Sequence, residues 1–144
     1  MSKLIKKKLL FICTGNSCRS QIAEGFAKNH LEKYQVSSGG TNPETVNPYA
    51  IKVMNKIGIN ISNHKSKKIN DDEFNSFDLI ITLCGNAKDQ CPVISSNKHI
   101  HWGITDPAKY KGNDEELIIK YSKIRDIIIG KIKLLKSELD KQNQ

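Results

Sequence analysis

The chain has 144 residues, 38 % hydrophobic and 26 % charged, with a formal net charge of +8. That length supports one domain with its own core and is too short for two. No apolar run approaches the ~20 residues of a membrane helix, and the apolar stretch after the basic start, Leu9 to Cys13, falls short of the ~7–15 residues of a secretory leader. A cytoplasmic protein is therefore expected. Nearly all the positive charge is Lys, with only Arg19 and Arg125 as arginines. The lysines are scattered and few aromatics interleave with them, which reads as a solvated basic face rather than a nucleic-acid surface. Such a field also steers small anions toward a cleft.

Lys6 to Ile12 reads as a buried strand. Ser20 to Leu31 places Ile22, Ala23, Phe26, Ala27 and Leu31 on one face at helical spacing. Tyr34 to Ser38 reads as a second strand, ended by Gly39-Gly40. Asn47-Pro48 is a helix start, with a capping side chain followed by Pro at the first helical position. Ala50, Val53, Met54 and Ile57 form the stripe of that helix, and Gly58 its stop. Asp71 to Ser76 reads as a short helix, Asp78 to Leu83 as a third strand and Lys98 to Trp102 as a fourth. The last helix carries Leu117, Tyr121, Ile124, Ile128, Ile132, Leu135 and Leu139 every three or four residues. Packing onto the sheet explains that stripe. Residues 1–6 and 141–144 are expected to fray.

Strands alternating with helices imply an α/β domain, 1–144, built on a parallel sheet covered on both faces. Ligands in such sheets bind beyond the carboxyl ends of the strands. Cys13 and Cys84 both fall at such ends, on one edge of the domain. The cysteine spacings, Cys13-x4-Cys18 and Cys84-x6-Cys91, are not those of a zinc ribbon, and the four histidines form no close ligand motif. No metal is expected, and cytosolic cysteines more often do chemistry than form structural disulfides.

The densest chemistry lies in Cys13-Thr14-Gly15-Asn16-Ser17-Cys18-Arg19-Ser20. A strand, a tight loop and a helix start together make an anion cradle, with backbone N–H groups and the positive helix end facing inward. A thiolate at its base has its charge stabilised, so Cys13 is the expected nucleophile. Arg19 supplies paired donors matching two oxygens of a tetrahedral anion. Gly15 and Asn16 permit the positive φ that a tight cradle needs. Ser20 is read as a donor to the thiolate, as a helix cap, or as both. Cys18 is read as a small packing residue rather than a redox group.

A C-x5-R-S loop this early in an α/β chain, with Asp106-Pro107 far downstream, resembles the low-molecular-weight tyrosine phosphatase family. The resemblance implies a single-domain three-layer sandwich around a four-stranded parallel sheet. It also implies that Asp106 is the general acid that protonates the leaving group, although an Asp-Pro turn without catalysis remains an alternative. Two features depart from those phosphatases. Ala108 follows the Asp-Pro pair where an aromatic usually stands, and the loop carries Thr14 and Ser17 where apolar residues are usual, so the site suits a bare inorganic oxyanion.

The second feature is Leu83-Cys84-Gly85-Asn86-Ala87-Lys88-Asp89-Gln90-Cys91-Pro92, because dephosphorylation needs no further cysteine pair. Taken with Cys13 to Gly25, Val46-Asn47-Pro48, Ile61-Ser62-Asn63-His64 and His101-Trp102-Gly103, the chain from about Leu9 to Arg125 looks like the thioredoxin-coupled arsenate reductases. Gln21, where the phosphatases usually carry Pro, fits that branch.

The resemblance implies a route. Arsenate, with phosphate and sulfate as competing oxyanions, is held by the loop amides of residues 14–20 and by Arg19. Cys13 attacks it and Asp106 protonates the departing oxygen. Cys84 attacks the Cys13 sulfur, giving a transient Cys13–Cys84 disulfide, and Cys91 then moves the bond to Cys84–Cys91. Thioredoxin, acting on a monomer, reduces that bond, and no bound cofactor is implied. In a regular helix Cys84 and Cys91 would be separated by a rise of ~10.5 Å, whereas a disulfide needs Cα atoms within roughly 7 Å. The segment is therefore expected to loop or unwind on oxidation. Some such reductases carry a monovalent-cation site near the loop, with an acid just after the Ser-Asn-His stretch. Here Lys65-Ser66-Lys67-Lys68 stands there, and Asn16, Glu24 and Ser38 are read as polar supports for the loop. The runner-up reading is a phosphatase with redox-regulatory cysteines, and the third a non-enzymatic phosphate sensor.

Overall fold

The computed structural model describes residues 6–85 and 98–142. Cys91, and with it the expected unwinding of the segment after Cys84, lies outside the described residues.

Four parallel strands, β1 (Lys7–Cys13), β2 (Tyr34–Gly40), β3 (Leu79–Cys84) and β4 (His99–Ile104), form a sheet in the order β2-β1-β3-β4. The helices are α1 (Arg19–His30), α2 (Pro48–Asn55), a short α3 (Asp71–Phe74) and α4 (Asp114–Gln142). Alternation along the strands divides the core. Leu9, Phe11 and Cys13 of β1, with Ile81 and Leu83 of β3, pack with the apolar stripes of α1, α2 and α4. Leu10, Ile12 and Ile80 point the other way, against Ile69 with Phe74 and Phe77. The two outer layers are thus unequal among the described residues, with three longer helices on one side and α3 with its loops on the other.

Helix α4 runs 29 residues, about 43 Å at ~1.5 Å per residue. It buries Tyr121, Ile124, Ile128, Ile132 and Leu135, each contributing on the order of 2 kcal/mol. The helix continues through Lys141 and Gln142, where fraying was expected. Two other boundaries also differ from expectation. Helix α2 stops at Asn55, so Ile57 is not part of a buried stripe and is 40 % exposed. Strand β2 continues through Gly39-Gly40 because both glycines are close-approach positions. A Cβ on Gly39 would lie 2.1 Å from the Ile69 side chain, and one on Gly40 would lie 2.6 Å from the Thr14 carbonyl oxygen.

β1 lies in the middle of the sheet and hands directly into the loop before α1. β3, its neighbour, ends at Cys84, and β4 ends just before Asp106. Three chain segments with chemistry therefore leave the sheet at one edge.

Candidate active site

The loop between β1 and α1 has each of its carbonyls engaged. Asn42 N–H donates to Thr14 O (2.9 Å), Glu44 N–H to Gly15 O (2.8 Å), Asn47 N–H to Ser17 O (2.8 Å) and Ile22 N–H to Cys18 O (2.8 Å). The Asn16 carbonyl accepts from Gln21 Nε2 (3.0 Å) and Ser66 Oγ (2.8 Å). A tight turn whose carbonyls are all held from outside presents its N–H groups inward, as an anion nest. The cap residue of α1, Cys18, makes no side-chain capping bond, and the first turn carries no acid. Its orphan donors and its dipole are thus left for an anion. Ser20 sits inside the first turn, so it is not the helix cap.

Asn16 is fully buried at φ +47°, the left-handed conformation expected of it. Lys67 N–H donates to its Oδ1 (2.9 Å), which fixes the amide so that Nδ2 donates to Ser20 Oγ (2.8 Å) and Ser38 Oγ (2.9 Å). Ser38 in turn donates to Glu24 Oε1 at 2.6 Å. Asn16 fills one acceptor position on Ser20, whose Oγ lies 2.9 Å from Cys13 Sγ, so that a thiolate at Cys13 would accept the Ser20 hydroxyl hydrogen. Cys13 is a free cysteine, 2 % exposed. The Ser20 hydroxyl is thus within hydrogen-bond distance of the Cys13 sulfur.

Glu24 carries the ammonium of Lys28 at 2.7 Å. Burial is the largest single effect and raises its pKa, but the bonds from Lys28 and Ser38 and the Lys28 and His64 charges together bring it below the ordinary 4.5. His64 donates from Nδ1 to Gln21 Oε1 (2.9 Å), with Glu24 Oε2 at 3.6 Å. Burial lowers its pKa from 6.5 against the pull of Glu24, so it is neutral at pH 7 and its contact with Glu24 is not an ion pair. Both folded values are depressed. Each contribution is fully present above the ordinary value and lost as pH falls through the folded one. Thermal midpoints are expected to decline below about pH 6.5 from His64, and again below about 4.5 from Glu24. His64→Gln should remove the first step and Glu24→Gln the second in melts between pH 4 and 8.

Arg19 is 3 % exposed. Its NH1 donates to Ile104 O (2.9 Å) and Leu83 O (3.3 Å), and its NH2 lies 3.7 Å from Asp106 Oδ2. The guanidinium therefore ties the ends of β3 and β4 to the Asp106 turn. Asp106 caps the short turn Pro107–Lys109 through Ala108 N–H (3.0 Å) and is one-third exposed. Cys84 Sγ lies 3.8 Å from Thr14 Oγ1, on the residue next to Cys13. Cys84 is disulfide-bonded, whereas Cys13 and Cys18 are free. Cys18 packs in the main core, where burial pushes its thiol well above the usual range, which suits a packing residue. Among the described residues no group of three or more His, Cys, Asp or Glu comes together as a metal site.

The strap Asn42–Asn47 that holds the loop carbonyls is not visible in the sequence, because backbone contacts leave no residue signature. Nor is the contact of Thr82, whose buried hydroxyl meets His99 Nε2 (2.9 Å) and His101 Nδ1 (2.6 Å). The Gly39-Gly40 pair was the one available signal for close approach to the loop.

A thiol beneath a loop whose carbonyls are engaged elsewhere, a buried guanidinium and a carboxylate beside it have the chemistry to hold and attack an oxyanion. The family described as low molecular weight phosphotyrosine protein phosphatase matches residues 8–144, and the chain belongs to it. It is 48 % identical over 130 residues to an arsenate reductase of Halalkalibacterium halodurans, covering 89 % of this chain and 94 % of that one. It is 45 % identical over 129 residues to an arsenate reductase of Bacillus subtilis, covering 88 % and 93 %. Among solved structures, an arsenate reductase in the phosphate-binding state superposes with a TM-score of 0.73 at 32 % identity, covering 92 % of this chain and 98 % of that one.

Proposed function

We propose that this protein reduces arsenate to arsenite through Cys13, Cys84 and Cys91, with thioredoxin as electron donor. The observation that carries the reading is the pairing of two sulfur positions at one cradle. Cys13 Sγ is held by Ser20 at the base, and Cys84 Sγ is at the rim against Thr14. Arsenate sits on the loop amides and Arg19, where phosphate or sulfate competes. The Cys13 thiolate bonds to arsenic and one oxygen leaves as water, protonated by Asp106. Cys84 then attacks the Cys13 sulfur. The S–S bond forms, the S–As bond breaks, and its electron pair reduces arsenic(V) to arsenite. Cys91 displaces Cys13 from Cys84, restoring the nucleophile, and the thioredoxin dithiol supplies the two electrons that reopen Cys84–Cys91.

Every group that this protein contributes to the route belongs to one chain, so a monomer suffices, and the donor places the work in the reducing cytoplasm. Among the described residues no helix is long and apolar enough to cross a membrane.

The test is arsenate turnover coupled to thioredoxin oxidation, run beside aryl phosphate hydrolysis. Cys84→Ser and Cys91→Ser are each expected to lose arsenate turnover below about 1 % of the parent, while any hydrolysis of the aryl ester persists. Retained arsenate turnover in either variant, or loss of hydrolysis in step with it, contradicts the relay.

A further inference from the structure

The strap that holds the cradle leads into α2 and is bonded to α4, the helix that follows the Asp106 turn. Asn47 N–H donates to Ser17 O at 2.8 Å, and its Oδ1 accepts from Tyr49 N–H at 2.8 Å, capping α2. Its Nδ2 donates to the Tyr121 hydroxyl of α4 at 3.1 Å. The Tyr49 hydroxyl donates to Asp114 Oδ1 at 2.5 Å, and the Tyr49 and Tyr121 rings lie 5.2 Å apart. Asp114 and Tyr121 are seven residues, about two turns, apart, so one face of α4 meets the strap and α2. Among the described residues, the segment from Asp106 to Asp114 is held by Arg19 NH2 at 3.7 Å from Asp106 Oδ2, by the buried Pro107, and otherwise by short-range bonds. Ala108 N–H donates to Asp106, Tyr110 N–H to Pro107 O, and Lys120 of α4 stacks on the Tyr110 ring at 4.7 Å. The last contact is made by α4 itself.

We propose that Asn47, Tyr49 and Tyr121 are positioning residues, a clasp that fixes the start of α4 and hence holds Asp106 over the cradle. The inference rests on the reading of Asp106 as the acid in arsenate reduction. Nucleophile and acid arrive on separate strands, β1 and β4, with β3 between them. Their relative placement depends on contacts beyond the sheet. A displacement of an acid by about 1 Å costs up to ~100-fold in rate, and the clasp limits that movement. Anion binding depends on the loop and Arg19, and the Asn47 N–H bond to Ser17 O in that loop needs neither tyrosine hydroxyl.

The experiment is a Tyr49→Phe, Tyr121→Phe double variant, which removes two hydroxyls and keeps both rings. Arsenate kcat is expected to fall about 5- to 10-fold, with the phosphate dissociation constant from calorimetry unchanged within about two-fold. Amide exchange at Ala108 and Tyr110 is expected to accelerate at least about 10-fold, with that at Ile22 unchanged. Asp114→Asn, which keeps an acceptor for Tyr49, should behave as the parent, and Asp114→Ala as a milder form of the double variant. Unchanged exchange at Ala108 and Tyr110 overturns the clasp. So does phosphate affinity falling in step with kcat, which would mean that the cradle itself had moved. If the parent reduces no arsenate, the functional reading fails, and the exchange and phosphate measurements still decide the clasp.

Discussion

Cys13→Ser is expected to bind oxyanion and leave it unchanged. The hydroxyl of serine is a far weaker nucleophile than a thiolate at neutral pH, and an oxygen cannot enter the disulfide that carries the two electrons. Arsenate turnover should fall below detection, at least about 10⁴-fold. The fold should tolerate the change. Residue 13 ends β1, pairs with Gly40 and is buried beside Ser20, and a serine hydroxyl there gains the hydrogen bond that the sulfur now makes. Phosphate affinity by calorimetry should stay within a few-fold and the thermal midpoint within a few degrees. Turnover above about 1 % of the parent would mean that Cys13 is not the nucleophile.

Arg19→Lys is expected to lower kcat/KM about 10²- to 10³-fold. The guanidinium is buried, and among the described residues its contacts include Leu83 O, Ile104 O and the Asp106 carboxylate. A planar fork can satisfy those and still present N–H groups to two oxygens of an anion, whereas one ammonium cannot. Two effects should therefore appear together. Phosphate affinity drops, because the bidentate grip is lost. The chain ends of β3 and β4 also loosen, because two carbonyls lose their charged donor. Steady-state kinetics and phosphate calorimetry check the first, and amide exchange at Ile104 the second. A lysine variant with parent-like phosphate affinity would place the oxyanion away from Arg19.

Much of this arrangement was legible because its parts are chemically specific. Cys13 to Ser20 announced a cradle through the spacing of a thiol, a guanidinium and a turn residue, and Asn16 does adopt the left-handed backbone. Asn47-Pro48 caps α2 as read. The α4 stripe was equally plain, since Tyr121, Ile124, Ile128, Ile132 and Leu135 are all buried. The failures share a physical cause, because they depend on what approaches from elsewhere in the chain. Gly39-Gly40 resembled a strand end because nothing local reveals that Ile69 and the Thr14 carbonyl press on those positions. Ile57 kept the helical spacing of its neighbours although α2 had already ended. β4 runs through Gly103 to Ile104, beyond the expected Trp102, because sheet pairing rather than propensity carries it. Asp106 was expected beside the leaving group. Its link to Arg19, and through α4 to Tyr49 and Tyr121, is tertiary and has no motif.

The central claim is that one arsenate oxidises one pair of sulfurs through Cys13. The most direct test is a single turnover of the reduced Cys91→Ser variant with one equivalent of arsenate and no thioredoxin. The products would be quantified as arsenite and as disulfide-linked peptides by mass spectrometry. The account predicts one arsenite per chain and a Cys13–Cys84 bridge. Arsenite without that bridge, or unchanged arsenate in a protein that still hydrolyses aryl phosphate, would contradict it.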